Sequence, residues 1–277
     1  MEHFVCKLLN IVIDYENETE VINYATQLSK LKNKEFLCIV VVINKSQLES
    51  FDEFINSLEN LNIDFKVYFP SKNLGYLNGA IFGYECYIKE TGSTPSWILI
   101  SNTDISYIDD SFFENFSHNK YEDDIWVVGP SVYSPMTKSY SNPQYKERYS
   151  HQLLDRNIFI FSHPILAYLF VQGSKIKSRY FKRNKKSSCY VFSVHGCFFF
   201  IKNELANYLV NNPYKAILYS EEAYISNIVY KIGKKSFYDS SLEIIHHENT
   251  VTKLIGIKQR SKYIVDSLNV IKDEFYN

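Results

Sequence analysis

The stretch SWILISNTDIS, residues 96–106, sets Trp97, Ile98, Leu99 and Ile100 directly before Ser101, Asn102, Thr103 and Asp104. A short unbroken apolar run that stops at small polar residues reads as a strand buried on both faces of a parallel sheet. Open sheets of this class bind ligands at the carboxyl ends of their strands, which is where Asp104 would stand. A carboxylate at such a tip can hold a divalent cation against a diphosphate. Equally, Thr103 or Asp104 can do no more than cap a turn or the next helix.

Upstream, the apolar runs FVCKLLNIVI (4–13), FLCIVVVI (36–43) and DFKVYF (64–69) predict three more strands. The second ends in Asn44, Lys45 and Ser46. Between the strands, apolar residues recur at helical spacing from Val21 to Leu31 and from Phe51 to Leu61, so helices are expected from about Glu18 and Phe51. In NLGYLNGAIFG, residues 73–83, Gly75, Gly79 and Gly83 are four apart. A helix through them would carry all three on one face and let backbone approach backbone or ligand closely. It runs to about Glu90, where TGSTP ends it. This alternation predicts a βαβ series: one large α/β domain with a mixed, mostly parallel central sheet flanked by helices. No GxGxxG follows the first strand, so this is not the dinucleotide fingerprint.

Downstream, Asp109 and Asp110 are placed to cap a helix through Phe116, and IWVVGP at 125–130 is a further strand. Residues 134–190 are less regular. They hold an apolar, amphipathic piece at 153–171 and then the basic residues Lys175, Lys177, Arg179, Lys182, Arg183, Lys185 and Lys186. SVHGCFFFIKNE at 193–204 reads as a strand entering a helix. LYSEEAYISNIVYKIG at 218–233 reads as a helix with Ser220 as N-cap, Glu221 and Glu222 in its first turn and Gly233 closing it. EIIHHENT at 243–250 is a short strand carrying His246 and His247, and 258–275 is a docking helix.

The formal net charge of −1 excludes a globally basic nucleic-acid binder. Five scattered cysteines without a CxxC pair argue against a structural zinc site or a disulfide framework and fit a reducing cytosol. The first residues lack the pattern of a signal peptide. The longest apolar tract, 158–171, is too short to span a bilayer and contains Pro164, although lying on a membrane surface through 153–186 is compatible with it. The bland alternative for the basic cluster is a solvated loop.

In order, the chain offers a strand-end DYE, a strand-end Asn, the Gly-containing NLGYLNG, a strand-end NTD, a loop HG, a helix-start EE and a strand-end HH. This order resembles the family 2 inverting nucleotide-sugar glycosyltransferases of GT-A (Rossmann-like) fold, of the bacterial surface-polysaccharide hexosyl- and rhamnosyltransferase type. The resemblance covers roughly residues 8–250. It implies that Asp14, Tyr15 and Glu16 lie beside the nucleotide base, with Asn44 at the second strand end, where the family's Asp-Asn is here Ile43-Asn44. Asn73, Gly75 and Gly79 match the segment near ribose and diphosphate. The Asp-x-Asp metal motif is reduced to Asn102-Thr103-Asp104, which leaves the metal role to Asp104. His247 matches the family's late histidine, with His246 as its rival. His195 and Gly196 match positions lining sugar and acceptor. Glu222, supported by Glu221, matches the acidic pair that supplies the general base, although their order can be reversed.

The resemblance further implies a nucleotide-sugar half at 1–130, an acceptor half with the catalytic base at 131–250 and a docking helix at 251–277. The cofactor would be Mn²⁺ or Mg²⁺, the donor a UDP-, dTDP- or GDP-sugar, and the acceptor a lipid-linked saccharide. The setting would be the cytoplasm or the inner face of the plasma membrane. Two rivals remain. A sugar nucleotidyltransferase needs a Gly- and Lys/Arg-rich loop after the first strand, where this chain has the acidic DYENETE. A catalytically inactive binding protein of the same fold gains standing from Ile43 and Asn102.

Overall fold

The structure is a computed structural model and describes residues 8–33, 37–44, 51–248 and 256–277, without the side chains of Lys175, Ser178 and Arg179. The expected strand start at 4–7, Phe36, Lys45, Ser46, Asn249, Thr250 and residues 251–255 lie outside the described residues.

The first part alternates as its apolar periodicity requires: β1 (Leu8–Asp14), α1 (Glu18–Leu28), β2 (Leu37–Ile43), α2 (Asp52–Glu59), β3 (Asp64–Tyr68), α3 (Tyr76–Thr91) and β4 (Trp97–Ser101). There follow β5 (Ile105–Tyr107), α4 (Phe112–His118), β6 (Ile125–Ser134), β7 (Ser139–Tyr140), α5 (His151–Ser162), α6 (Pro164–Tyr180) and β8 (Cys189–Val191). The chain ends with β9 (Phe198–Lys202), α7 (Asn203–Asn211), α8 (Glu221–Lys231), β10 (Lys235–His246) and α9 (Ile257–Phe275).

One sheet runs β3-β2-β1-β4-β9-β6-β10-β5, with β7 added on β6 and β8 on β10. The strands β3, β2, β1 and β4 are mutually parallel, as are β6 and β10. The strand β9 enters antiparallel between β4 and β6. Side chains alternate along each central strand, so each strand feeds two cores. Leu9, Ile11, Val40, Val42, Ile98 and Ile100 pack with α3, α7, α8 and α9. Val12, Ile39, Val41, Ile43 and Leu99 pack with α1, α2 and α4 on the other face. The unbroken apolar runs are thus explained by burial on both faces.

Three local expectations are corrected. Gly75 is not part of the helix: it precedes α3 with φ +77° and ψ −169°, a conformation open essentially only to glycine. A Cβ there would also lie 2.0 Å from the Ile217 carbonyl oxygen. Ser220 stands at the N-cap of α8 but in the left-handed region at φ +60°, and its hydroxyl pairs with Ser267 at 3.1 Å instead of capping the helix. The strand at 243–250 is the end of the longer β10, and His247 lies beyond it. In the least regular segment, Pro164 divides the apolar piece into two helices, α5 and α6. The basic cluster also divides: Arg183 donates to the carbonyls of Ser141 and Pro143, and Lys185 pairs with Glu243. Among the described residues no helix is long and apolar enough to cross a membrane.

Candidate active site

Parallel pairing brings the tips of β1, β2 and β4 to one edge of the sheet. At the first two tips the polar groups serve the backbone. Asp14 is buried, and its Oδ1 accepts from Asn17 N–H at 3.0 Å, at the start of α1. Asn44 uses both ends of its amide: Oδ1 accepts from Leu74 N–H at 2.8 Å and Nδ2 donates to the Gly75 carbonyl at 2.9 Å. Asn73 Oδ1 accepts from Gly75 N–H at 2.8 Å. A Cβ at Gly79 would meet Ile13 and Asn44, and one at Gly83 would meet Val40 and Val42. These glycines therefore serve close packing inside the protein. Tyr15 and Glu16 are exposed beside this edge.

The tip of β4 differs. The antiparallel register of β5 on β10 sets His246 opposite Ile105, which brings the preceding residue, Asp104, against the imidazole. Asp104 Oδ1 lies 3.3 Å from His246 Nε2, and both residues are buried. His247 turns away: its Nε2 is 2.8 Å from the exposed Ser106 hydroxyl, and only its backbone N–H reaches the Asp104 carbonyl, at 3.0 Å. His246 is therefore the imidazole beside Asp104. Thr103 Oγ1 donates to Glu20 at 3.3 Å, and Asn102 N–H donates to the Cys197 carbonyl at 2.8 Å.

The pairing of β4 with β9 delivers the HGC loop to the same place, since Ser101 faces Phe198. The rings of His195 and His246 stand 5.8 Å apart, edge to face. Potential ligand atoms of His195, Cys197 and His246 all lie within 4.8 Å of one another. The absence of a CxxC pair did not foretell this cluster, because its members come from the loop before β9 and from the distant end of β10. Asn142 holds the loop, accepting from His195 N–H at 2.7 Å and donating to the Pro130 carbonyl at 2.8 Å.

The first turn of α8 closes the group. A Cβ at Gly196 would stand 3.1 Å from Glu222 Oε2, so a residue without a side chain lets that carboxylate lie against the loop. Burial, reinforced by the charge of Glu222, pushes the Glu221 carboxyl up to about 8. Burial also raises Glu222, while His195 pulls it back. Burial disfavours charge on His246, but the neighbouring Cys197 and Asp104 outweigh it and raise its pKa. Burial would raise the Cys197 thiol, yet the two imidazoles pull it down. The Tyr76 hydroxyl is buried with no hydrogen-bond partner among the described residues, and Cys197, Glu221, Tyr24 and Asp104 act on it electrostatically.

Sequence reasoning thus named Asp104, His246, His195, Gly196, Glu221 and Glu222, which the fold brings together. It missed Tyr76, Cys197 and Asn142. Tyr76 directly follows the strained Gly75, and Cys197 sits two residues from His195, which are usable signals; Asn142 has none. A cavity of about 480 Å³ bordered by Arg148, Tyr190, Tyr230 and Lys234 lies towards the other end of α8 and includes none of these residues.

A divalent ion fits Asp104 and His246. Their facing donor atoms are an oxygen and a nitrogen of the kinds that Mn²⁺ accepts, and His246 Nε2 makes no aligned hydrogen bond of its own. Cys197 would add a softer donor suited to Zn²⁺.

By sequence, no family and no curated protein matches the chain. Solved structures do match by shape. GalNAc-T7 with UDP, GalNAc and Mn²⁺ is similar at a TM-score of 0.55 and 12% identity, over 98% of this chain and 50% of that one. The chain therefore spans half the length of that relative. The mannosyltransferase PcManGT from Pyrobaculum calidifontis, in complex with GDP-Man and Mn²⁺, is similar at a TM-score of 0.54 and 8% identity, over 96% of this chain and 73% of that one. At such identities what is shared is the fold: a single mixed α/β domain of the GT-A glycosyltransferase type.

Proposed function

We propose that the protein is an inverting glycosyltransferase that moves a hexose or deoxyhexose from a nucleoside-diphosphate sugar to a saccharide acceptor, in the building of a cell-surface polysaccharide. The observation that carries this reading is the convergence of Asp104, His246 and Glu222, from three separate elements, on the carboxyl edge of the sheet. Both structural relatives hold a nucleotide or nucleotide sugar together with Mn²⁺, which supports a donor of this class.

In this reading 1–130 binds the donor and 131–250 the acceptor, with α9 docked beneath. Tyr15 and Glu16 flank the base. Asp14 stands with them, and Asn44, Asn73 and Gly75 shape the loop that receives ribose and diphosphate, with Gly79 letting α3 pack closely against Asn44 beneath it. The N-terminus of α3 has no side-chain cap, and although the Tyr76 N–H is taken by the Ile217 carbonyl, the dipole of the helix suits an anion. Asp104 and His246 would hold the divalent cation, whose positive charge offsets the charge developing on the departing diphosphate.

Glu222 is the base. It takes the proton of the acceptor hydroxyl as that oxygen attacks the anomeric carbon. The bond from that carbon to the diphosphate oxygen breaks, and the nucleoside diphosphate leaves with the electron pair. Glu221, held protonated near neutral pH by burial and by its neighbour, does not compete for the proton. His195 and Gly196 line the sugar.

The test is release of nucleoside diphosphate from UDP-, dTDP- and GDP-sugars with Mn²⁺, alongside thermal-shift binding. Turnover or binding of one donor class is expected. No turnover and no binding across the panel would overturn the reading.

A further inference from the structure

The helix α6 buries almost none of its apolar surface. Of its apolar residues only Ala167 is fully buried, whereas Ile165, Leu169, Ile176 and Tyr180 are 76, 59, 57 and 80% exposed. Their spacing of four, seven and four residues puts these side chains on one stripe along the helix. Tyr168, Phe170 and, from α5, Phe159 extend the exposed surface. Apolar residues contiguous to this degree mark an interaction site, since an ordinary helix would turn them into the core.

Charge identifies the occupant. No Asp or Glu lies between Asp155 and Glu204, so every charged residue from Arg156 to Lys202 is a Lys or Arg. Lys177 and Lys182 are exposed beside the stripe. A second copy of the chain would bring an equally positive face against this one and be repelled. An anionic surface would not.

We propose that α6, with the end of α5, docks on the surface of an anionic phospholipid bilayer. It lies in the interface: Ile165, Leu169 and Ile176 enter the acyl boundary, and Lys177 and Lys182 meet the headgroup charge. At 17 residues α6 rests on the bilayer and does not cross it. The inference stands on exposure and charge, and does not depend on the glycosyltransferase reading. If both hold, the acceptor would be met at the lipid surface.

Vesicle flotation tests it. The protein should bind equimolar phosphatidylcholine–phosphatidylglycerol vesicles and not phosphatidylcholine alone. A triple Ile165→Ser, Leu169→Ser, Ile176→Ser variant, altered only at exposed positions, should lose at least about tenfold in binding with an unchanged thermal melt. Lys177→Glu with Lys182→Glu should lose a similar amount, at roughly fivefold or more per basic residue near an anionic surface, and raised salt should weaken the wild type. Failure to bind anionic vesicles, or equal binding by the triple variant, would overturn the proposal. So would a lipid-indifferent dimer in ultracentrifugation that Leu169→Ser dissociates. None of these outcomes bears on donor turnover.

Discussion

The tips of β1 and β2 and the tips of β4 and β10 share one edge of the sheet and use their polar groups differently, the first pair chiefly to hold backbone and the second to gather titratable side chains. At the first pair, Asn44 spends both ends of its amide on the 74–75 backbone and Asp14 accepts from the start of α1. At the second, Asp104, His246, Cys197, Glu221 and Tyr76 crowd together, and among the described residues the Tyr76 hydroxyl has no hydrogen-bond partner and His246 Nε2 no aligned one. Burying such groups costs free energy unless something completes them. The first region shapes a cleft. The second gathers buried titratable groups whose pKa values are shifted by burial and by one another, the pattern of a candidate functional site.

The sharpest break of this contrast is Glu222→Gln. It keeps size and removes the carboxylate proposed as base, so turnover of donor with acceptor should fall by about 10²–10⁴-fold. Donor binding by thermal shift should remain. Normal turnover by the Glu222→Gln variant would move the reacting group elsewhere.

Next in size is Asp104→Asn, which preserves shape and removes the carboxylate facing His246. We expect a loss of about 10²–10³-fold in turnover. Mn²⁺ affinity by titration calorimetry should weaken with it. An unchanged affinity would free Asp104 from the metal role.

The pH dependence of stability follows from Glu221. Its folded pKa, about 8, lies above its unfolded value, so the folded state binds the extra proton between roughly pH 4.5 and 8. Stability from this group is full below that window and is lost as pH rises through it. Glu221→Gln should therefore flatten the decline and raise the unfolding free energy at pH 8 by an amount on the order of a few kcal/mol before coupling to Glu222 is allowed for, with a higher melting temperature. Scanning calorimetry from pH 5 to 9 measures this. A variant less stable than wild type at pH 8 would contradict the sign.

Much of this was legible in the sequence where one physical rule governed. Unbroken apolar runs at 37–43 and 97–100 read as strands covered on both faces, and the helical spacing from Val21 to Leu28 as a face turned to a sheet. The candidate site was legible where charge stood at the end of an apolar run, as at Asp104, or in a first helical turn, as at Glu221 and Glu222. It was illegible where the partner came from a distant strand. Nothing local announces that β9 will insert between β4 and β6 and carry Cys197 to His246, or that Asn142 will hold the HGC loop. Gly75 misled, because a four-residue glycine spacing looks helical while the real constraint is a turn against Ile217.

That division also sets the response to Asn44→Ala. Losing this amide leaves Leu74 N–H and the Gly75 carbonyl without their partner, a cost of about 1–3 kcal/mol for buried groups. Denaturant unfolding should show it, and KM for the donor should rise more than kcat falls, because the loop is displaced and the reacting groups are not. A fall confined to kcat would place Asn44 in the reacting region instead.

The smallest expected effect separates two neighbours. His246 and His247 are adjacent in sequence, and at the end of a strand consecutive side chains leave on opposite sides. His246 meets Asp104 at 3.3 Å in a buried setting, whereas the ring of the exposed His247 pairs with the Ser106 hydroxyl. The contact that His247 makes with Asp104 runs through its backbone N–H and survives truncation of the side chain. His247→Ala should thus leave turnover within about threefold and stability within roughly 0.5 kcal/mol, as for an ordinary surface change. His246→Ala should approach the loss expected for Asp104→Asn. The reverse order, measured in parallel with Mn²⁺ titrations, would mean that β10 carries its other face to the reacting centre.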